Sequence, residues 1–193
     1  STSTQRRVSH PGGEPTRITR NGTLGGGALL SRAGVADFFV EIISPNGGRS
    51  AISRVRPDGR MTTVWDRTNA YLRAVSPSGD SIAARVEQPD GTSHMMILPA
   101  AGGKGRLILA PNDWVTFWSN DGKSLVYTTF VDGVGDIGIF NVVDGTTRRL
   151  TATSQNEAGA ELTPDGKTML MRRTKFVQRL FTANLSKLLD ESK

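Results

Sequence analysis

The chain has no cysteine and only two histidines, His10 and His94, among its 193 residues. Without cysteine there is no disulfide framework, thiolate zinc site, iron-sulfur cluster or cysteine nucleophile. Aromatic residues are sparse, with seven Phe, three Trp and two Tyr. No apolar run approaches the roughly 18 residues of a transmembrane helix, the densest being Phe38 to Ile43 and Ile137 to Val143. Helical signal is nearly absent as well, and one turn at Asn184 to Leu189, capped by Asn184, is the single candidate, against a strand reading of the same residues. What is present is abundant glycine, 22 residues, and enough apolar material, 36%, for a globular domain with its own core rather than a disordered tail.

The net charge of +6 is unevenly spread. Residues 1–60 hold nine basic and four acidic side chains, residues 61–165 hold eight and twelve, and residues 166–193 hold seven and two. Both ends are basic and the middle is acidic. If the fold brings the ends together, Arg6, Arg7, Arg17 and Arg20 join Arg172, Arg173, Lys175 and Arg179 in one positive face. Such a face attracts an acidic protein surface or anionic lipid headgroups. Nucleic acid is the weakest candidate partner, because the sequence carries no basic helix, zinc-finger spacing or RNA-binding sheet motif.

Internal repetition organises the chain. A polar turn recurs as Ser76-Pro77-Ser78-Gly79-Asp80, Ser119-Asn120-Asp121-Gly122-Lys123 and Thr163-Pro164-Asp165-Gly166-Lys167, its glycines 43 and 44 residues apart. A degenerate copy, Ser31-Arg32-Ala33-Gly34, lies 45 residues before Gly79. A second turn interleaves with it at Gly12-Gly13, Asp58-Gly59, Gly102-Gly103 and Asp144-Gly145, and its last glycines are 46, 44 and 42 residues apart. Short alternating apolar segments flank every copy, and Asp-Gly or Gly-Gly between such segments signals a hairpin. The unit is therefore a meander of about four short strands, and four strands in 40 to 45 residues is the size of a β-propeller blade. The spacing predicts blades over 24–66, 67–110, 111–151 and 152–193, after an N-terminal extension, 1–23, whose strand at Thr16 to Thr19 pairs with the last blade. The fold class expected is all-β and propeller-like, either a small closed ring or an open arc.

At these residues the chain resembles the TolB-like propeller repeat. Trp118-Ser119-Asn120-Asp121-Gly122-Lys123-Ser124-Leu125-Val126-Tyr127, ending at Arg149-Leu150-Thr151, is the best copy, and Leu162-Thr163-Pro164-Asp165-Gly166-Lys167 is nearly as good. The first two blades depart from the pattern. The resemblance implies an extracytoplasmic, usually bacterial, non-catalytic binding scaffold that stands free in the periplasm, is joined to a peptidase or serves as a sensor module. Members of that family generally close six or seven blades, whereas this sequence holds material for about four. An open arc exposes strand edges and an apolar inner face, and so calls for a partner surface.

The candidate chemistry is thin. His10 sits in a Pro-Gly-Gly loop, His94 opens a strand, and no Gly-x-Ser-x-Gly elbow accompanies either. Asp132 and Asp136 could offer oxygen ligands to Ca²⁺ but lack the calcium-loop pattern and its terminal Glu, so turn aspartates are the better reading, as for Asp58, Asp121, Asp144 and Asp165. Gly25 to Gly27 lack the Lys-Ser/Thr of a phosphate loop and read as a blade connection. Trp118 is expected in the core, and Trp65 and Trp114 are candidate interface aromatics.

The sequence thus points to a binding protein with no catalytic residue, cofactor or metal. We expect a structural or assembly subunit of a bacterial envelope or membrane-associated complex, for example respiratory or photosynthetic, with other protein subunits as partners and peripheral contact with an anionic membrane. Two rivals, a ligand-sensing module of a receptor or kinase and the propeller portion of a serine peptidase, each predict a longer parent polypeptide. The polar start, Ser1 to Arg6, fits processing and a boundary within a longer chain equally.

Overall fold

The computed structural model describes residues 6–7, 16–17, 28–30, 38–43, 50–163 and 165–175. These residues form strands and turns, with no helix among them. In chain order the strands are β1 (Arg6–Arg7), β2 (Thr16–Arg17), β3 (Ala28–Leu30), β4 (Phe38–Ile43), β5 (Ser50–Val55), β6 (Met61–Trp65), β7 (Ala70–Val75) and β8 (Ser81–Glu87). Next come β9 (Ser93–Pro99), β10 (Arg106–Leu109), β11 (Trp114–Trp118), β12 (Ser124–Val131), β13 (Val134–Asn141), β14 (Thr147–Arg149), β15 (Asn156–Leu162) and β16 (Met169–Thr174).

Strands β3 to β6, β7 to β10 and β11 to β14 make three four-stranded antiparallel meanders, and β15 and β16 pair as the start of a further sheet. This is an all-β, propeller-like arrangement of blades. Strand β2 pairs with β1, with Arg6 opposite Arg17 and Arg7 opposite Thr16. The candidate helical turn at 184–189 and the degenerate turn at 31–34 lie outside the described residues.

The repeated turn is the device that sets the blade. In each of the last three copies the backbone closes twice in the same way. Gly79, Gly122 and Gly166 donate N–H to the carbonyls of Ser76, Ser119 and Thr163, which donate their own N–H groups to the carbonyls of Ser81, Ser124 and Thr168. The three glycines have φ of 76°, 74° and 71°, a region closed to most side chains by the Cβ clash, which is why glycine recurs there. The Ser119 hydroxyl donates to Asp121 (2.6 Å) and accepts from the Ser124 N–H (2.9 Å), and Thr163 repeats both contacts with Asp165 (2.5 Å) and Thr168 (3.1 Å). The spacing of these residues, not their burial, brings the first two strands of each blade together.

Blades then stack face to face. One core cluster joins Phe39, Ile52 and Trp65 of the first blade to Leu72, Ile82, Val86 and Leu98 of the second. A second joins Ala74, Ala83 and Met95 to Val115, Trp118, Leu125, Tyr127 and Phe140 of the third. A smaller one places Val126 and Ile137 against Ala160 of β15. The middle strands are consequently buried on both faces, as in β8 and β13, while the three residues of β14 at the outer edge are exposed. Each large aliphatic side chain so buried contributes about 1.5–3 kcal/mol. Tyr127 packs flat on its cross-strand partner Gly138, where a Cβ would lie 2.5 Å from the ring.

Candidate binding site on the inner strands

The first strands of successive blades neighbour one another, β7 beside β3 and β11, and β11 beside β15. Each of the last three carries a bulge at the same place. In β7 the pairs Leu72 with Ala84 and Ala74 with Ala83 leave Arg73 without a partner, and in β11 the pairs Val115 with Tyr127 and Phe117 with Val126 leave out Thr116. In β15 the residues between Ala158 and Glu161, Gly159 and Ala160, face the single Met171 of β16. Residues 73, 116 and 159 are 43 apart. A bulge switches the face toward which the later residues of its strand point. Leu72 accordingly packs in the cluster between the first two blades and Ala74 in the next, while Val115 and Phe117 likewise divide between two clusters. The extra residue is directed instead to the common inner surface.

There the three positions meet in one cavity of about 530 Å³, lined by Leu72, Arg73, Trp114, Val115, Thr116, Thr128, Phe130, Ala158 and Gly159. Gly159 has open space where a Cβ would stand. Trp114 and Phe130 remain 40% and 43% exposed at its walls. The guanidinium carbons of Arg73 and Arg85 lie 4.5 and 5.2 Å from the centre of the Trp114 ring, within cation–π range. The Nε of each arginine is buried without a hydrogen-bond partner. Burial holds the Arg73 guanidinium below its ordinary pKa, the Glu41 carboxylate opposes that shift and the charge of Arg85 reinforces it. Arginine nonetheless stays protonated at any biological pH. Glu41, on β4, accepts the Leu72 N–H at 2.5 Å, and burial raises its pKa against the effects of that bond and of Arg73. The cavity can therefore offer apolar wall, hydroxyls and one fixed positive charge, and its lining holds no group that exchanges protons near neutral pH.

A second polar cluster ties the third blade to β15. Asp136 is fully buried in β13 and accepts from Arg149 Nη2, from the Thr151 hydroxyl (3.3 Å) and from the Thr153 N–H (3.3 Å). Glu157, equally buried in β15, accepts from Arg173 Nε at 2.7 Å and Nη2 at 2.6 Å. The Thr151 hydroxyl foremost, then Arg173, hold the Glu157 carboxyl below its ordinary range against the effect of burial. The expectation of turn aspartates is thus corrected for Asp136. Asp132 does occupy the tight β12–β13 turn, with φ 52°, whereas Asp136 lies four residues on, inside the ladder opposite Thr129. Among the described residues no cluster of three or more His, Asp or Glu is arranged to hold a metal.

The residues that the sequence nominated occupy different environments. Trp114 forms a wall of the cavity, whereas Trp65 is 9% exposed and sits in the first core cluster, its Nε1 donating to Thr68 (3.4 Å). Trp118 is core, its Nε1 bound to the Gly122 carbonyl at 2.9 Å. Arg172, Arg173 and Lys175 are exposed on or just after β16, with Arg173 engaged by Glu157. Arg6, Arg7 and Arg17 lie in β1 and β2, and Arg20, Arg179 and His10 lie outside the described residues. His94, in β9, is in register with Val86. Arg73, Arg85 and Glu41 carry no mark in the sequence that distinguishes them from other charged residues on strands. The 43-residue interval that relates Arg73 to Thr116 and Gly159 is the signal that could have found the first of them.

No family model matches the chain. An uncharacterized protein of Agrobacterium fabrum is 35% identical over 95 residues, 48% of this chain and 32% of that protein. A protein of Agrobacterium tumefaciens assigned as TolB superposes with a TM-score of 0.65 at 23% identity, covering 84% of this chain and 62% of the other. TolB of Acinetobacter baumannii gives 0.64 at 17% identity, covering 84% and 41%. The same architecture is seen in a nidogen/laminin complex (0.63, 13%, 89% and 67%) and a gluconolactonase of Xanthomonas campestris (0.58, 13%, 84% and 60%). The chain spans about a third of the curated relative it matches and under two thirds of the two TolB chains. The fold is a β-propeller of the TolB-like kind, an architecture that binding proteins and enzymes share.

Proposed function

We propose that this propeller segment is a non-catalytic scaffold that binds another protein, as a peripheral structural or assembly subunit of a bacterial envelope or membrane-associated complex. The observation that carries the reading is the inner-strand cavity, where a half-exposed Trp114 and Phe130 stand beside an arginine and no proton-transfer group lines the wall. Exposed aromatics with a neighbouring arginine are the residue types that anchor protein interfaces. The structural likeness to TolB and to a propeller in a nidogen/laminin complex agrees with a protein partner. An extracytoplasmic site is inferred from the TolB-like resemblance. A basic face built from Arg6, Arg7, Arg17, Arg20, Arg172, Lys175 and Arg179 would dock an acidic subunit or anionic headgroups, and such docking weakens with salt.

The test is to replace Phe130 by a photo-crosslinking phenylalanine in the source cells and to measure native mass at low and high salt. A specific protein adduct within a large, salt-sensitive assembly is expected. A monomer that forms no adduct at low salt refutes the scaffold reading.

A further inference from the structure

The cavity is built for more than an apolar contact. Arg73 reaches it as the extra residue of a β-bulge, and its Nε is buried with no hydrogen-bond partner. Among the described residues no carboxylate lies within ion-pair distance of Arg73 or Arg85, although Glu41, whose Oε1 accepts the Leu72 N–H, is near enough for its charge to act on Arg73. The Thr116 hydroxyl is occupied by the Val126 carbonyl at 3.0 Å. A planar guanidinium donor is thus left stacked on Trp114 in a mostly apolar recess, and such a fork matches a carboxylate with two parallel hydrogen bonds. A phosphate dianion would call for more donors than one arginine and its neighbour supply. The recess, about 530 Å³, has the size of a site for a short peptide or small ligand. Its aromatic lining residues Trp114 and Phe130 stay 40% and 43% exposed, so the recess is open, which suits a chain passing across its mouth better than a ligand sealed within.

We infer that the inner-strand cavity receives an acidic side chain next to an apolar one from an extended segment of the partner protein, with Arg73 taking the carboxylate and Trp114 and Phe130 flanking the apolar group. This rests on the protein-binding reading and assigns its chemistry. Glu41 fixes the bulge by holding the Leu72 N–H, and Arg85 adds positive charge near the Trp114 ring.

The experiment titrates the full chain with three probes, reading Trp114 fluorescence and its indole N–H resonance. These are the blocked peptide acetyl-Gly-Phe-Asp-Gly-amide, its Asn counterpart, and the free acid N-acetylphenylalanine. The Asp peptide is expected to bind about tenfold more tightly than the Asn peptide, the ratio separating charge-assisted from neutral hydrogen bonds. Arg73→Gln should abolish that preference and Arg73→Lys retain part of it, while Arg85→Gln, which removes no direct contact, weakens binding less. Equal binding of the two peptides, or no binding of either, overturns the inference. Binding of the free acid alone overturns the protein segment as its source. If Arg73→Gln leaves the photo-crosslinked partner bound at full affinity, the carboxylate site fails and the scaffold reading stands. If the Asp peptide binds but no partner protein is found, the scaffold reading is what fails.

Discussion

Replacing Arg173 by alanine should cost far more than its half-exposed position on β16 suggests. Its side chain is 49% exposed, but the carboxylate it holds, that of Glu157, is fully buried. Deleting the cation leaves the Glu157 carboxylate without its ion-pair partner, and the cost of about 3–5 kcal/mol typical of breaking an enclosed pair from one side is an upper limit here, because the half-exposed Arg173 side chain is part of what covers the carboxylate. The variant has one escape, which is to protonate Glu157. Starting from the ordinary value of 4.5, protonation at pH 7 costs about 3.4 kcal/mol at 1.36 kcal/mol per pH unit, which caps the charge-related part of the loss. We therefore expect Arg173→Ala to lose about 1–3 kcal/mol at pH 7, read by urea unfolding monitored by circular dichroism. Glu157→Gln should lose only about 1–2 kcal/mol, because the freed guanidinium turns to water and only hydrogen bonds disappear. The double variant should resemble Glu157→Gln rather than the sum. In the wild type the Glu157 pKa is lowered by folding, so its stabilisation is present above about pH 4.5 and is lost as pH falls through the folded value. In Arg173→Ala the arginine's share of that lowering is gone while that of the Thr151 hydroxyl remains, so the gap between the two proteins is larger at neutral pH, where Glu157 is charged, than in acid, where it is protonated. A loss below about 1 kcal/mol at pH 7, or one that does not change between pH 4 and pH 7, would refute the reasoning.

Gly138→Ala should destabilise by about 1–3 kcal/mol, because the added Cβ meets the Tyr127 ring at 2.5 Å, and thermal unfolding gives the value directly. Thr116→Val should cost no more than about 1 kcal/mol, the single hydrogen bond to the Val126 carbonyl, while Val115→Ala, emptying a core position, costs about 1–3 kcal/mol in the same urea assay. Asp121, Asp144 and Asp165 should titrate below the ordinary 3.8 in carboxyl carbon NMR, because the hydroxyls of Ser119, Thr146 and Thr163 and the backbone N–H groups two residues on stabilise the charged form. Ser119→Ala should bring Asp121 back toward that value and leave Asp144 unchanged.

The blade was legible because its determinants are local. Ser119, Asp121 and Gly122 satisfy one another within a few residues, so residue type alone encodes the turn, and its return at Thr163, Asp165 and Gly166 exposes the repeat. The site was hidden for the opposite reason. Arg73, Thr116 and Gly159 occupy equivalent places yet share no chemistry, so no similarity of residues marks them. Asp136 misled because it lies just after a genuine Asp-Gly turn. Its partners Arg149 and Thr151 lie 13 and 15 residues further along, brought to it by the pairing of β13 with β14. Burial of a charge is a property of that pairing and of β15 beyond it, and neither has a signature in the local sequence.

The bulge also explains how one repeat can serve two purposes. In a regular strand, residues two apart face the same way and successive ones face opposite neighbours, as in β8, where Ile82, Ala84 and Val86 join one cluster and Ala83 the next. With one extra residue inserted, Leu72 and Ala74 reach opposite cores instead of the same one, and so do Val115 and Phe117. The inserted residue belongs to neither core. In β7, β11 and β15 it is arginine, threonine and glycine in turn, the glycine at a φ of 66° that other side chains rarely adopt. The chemistry presented on the inner surface thus varies at a place that neither core fills.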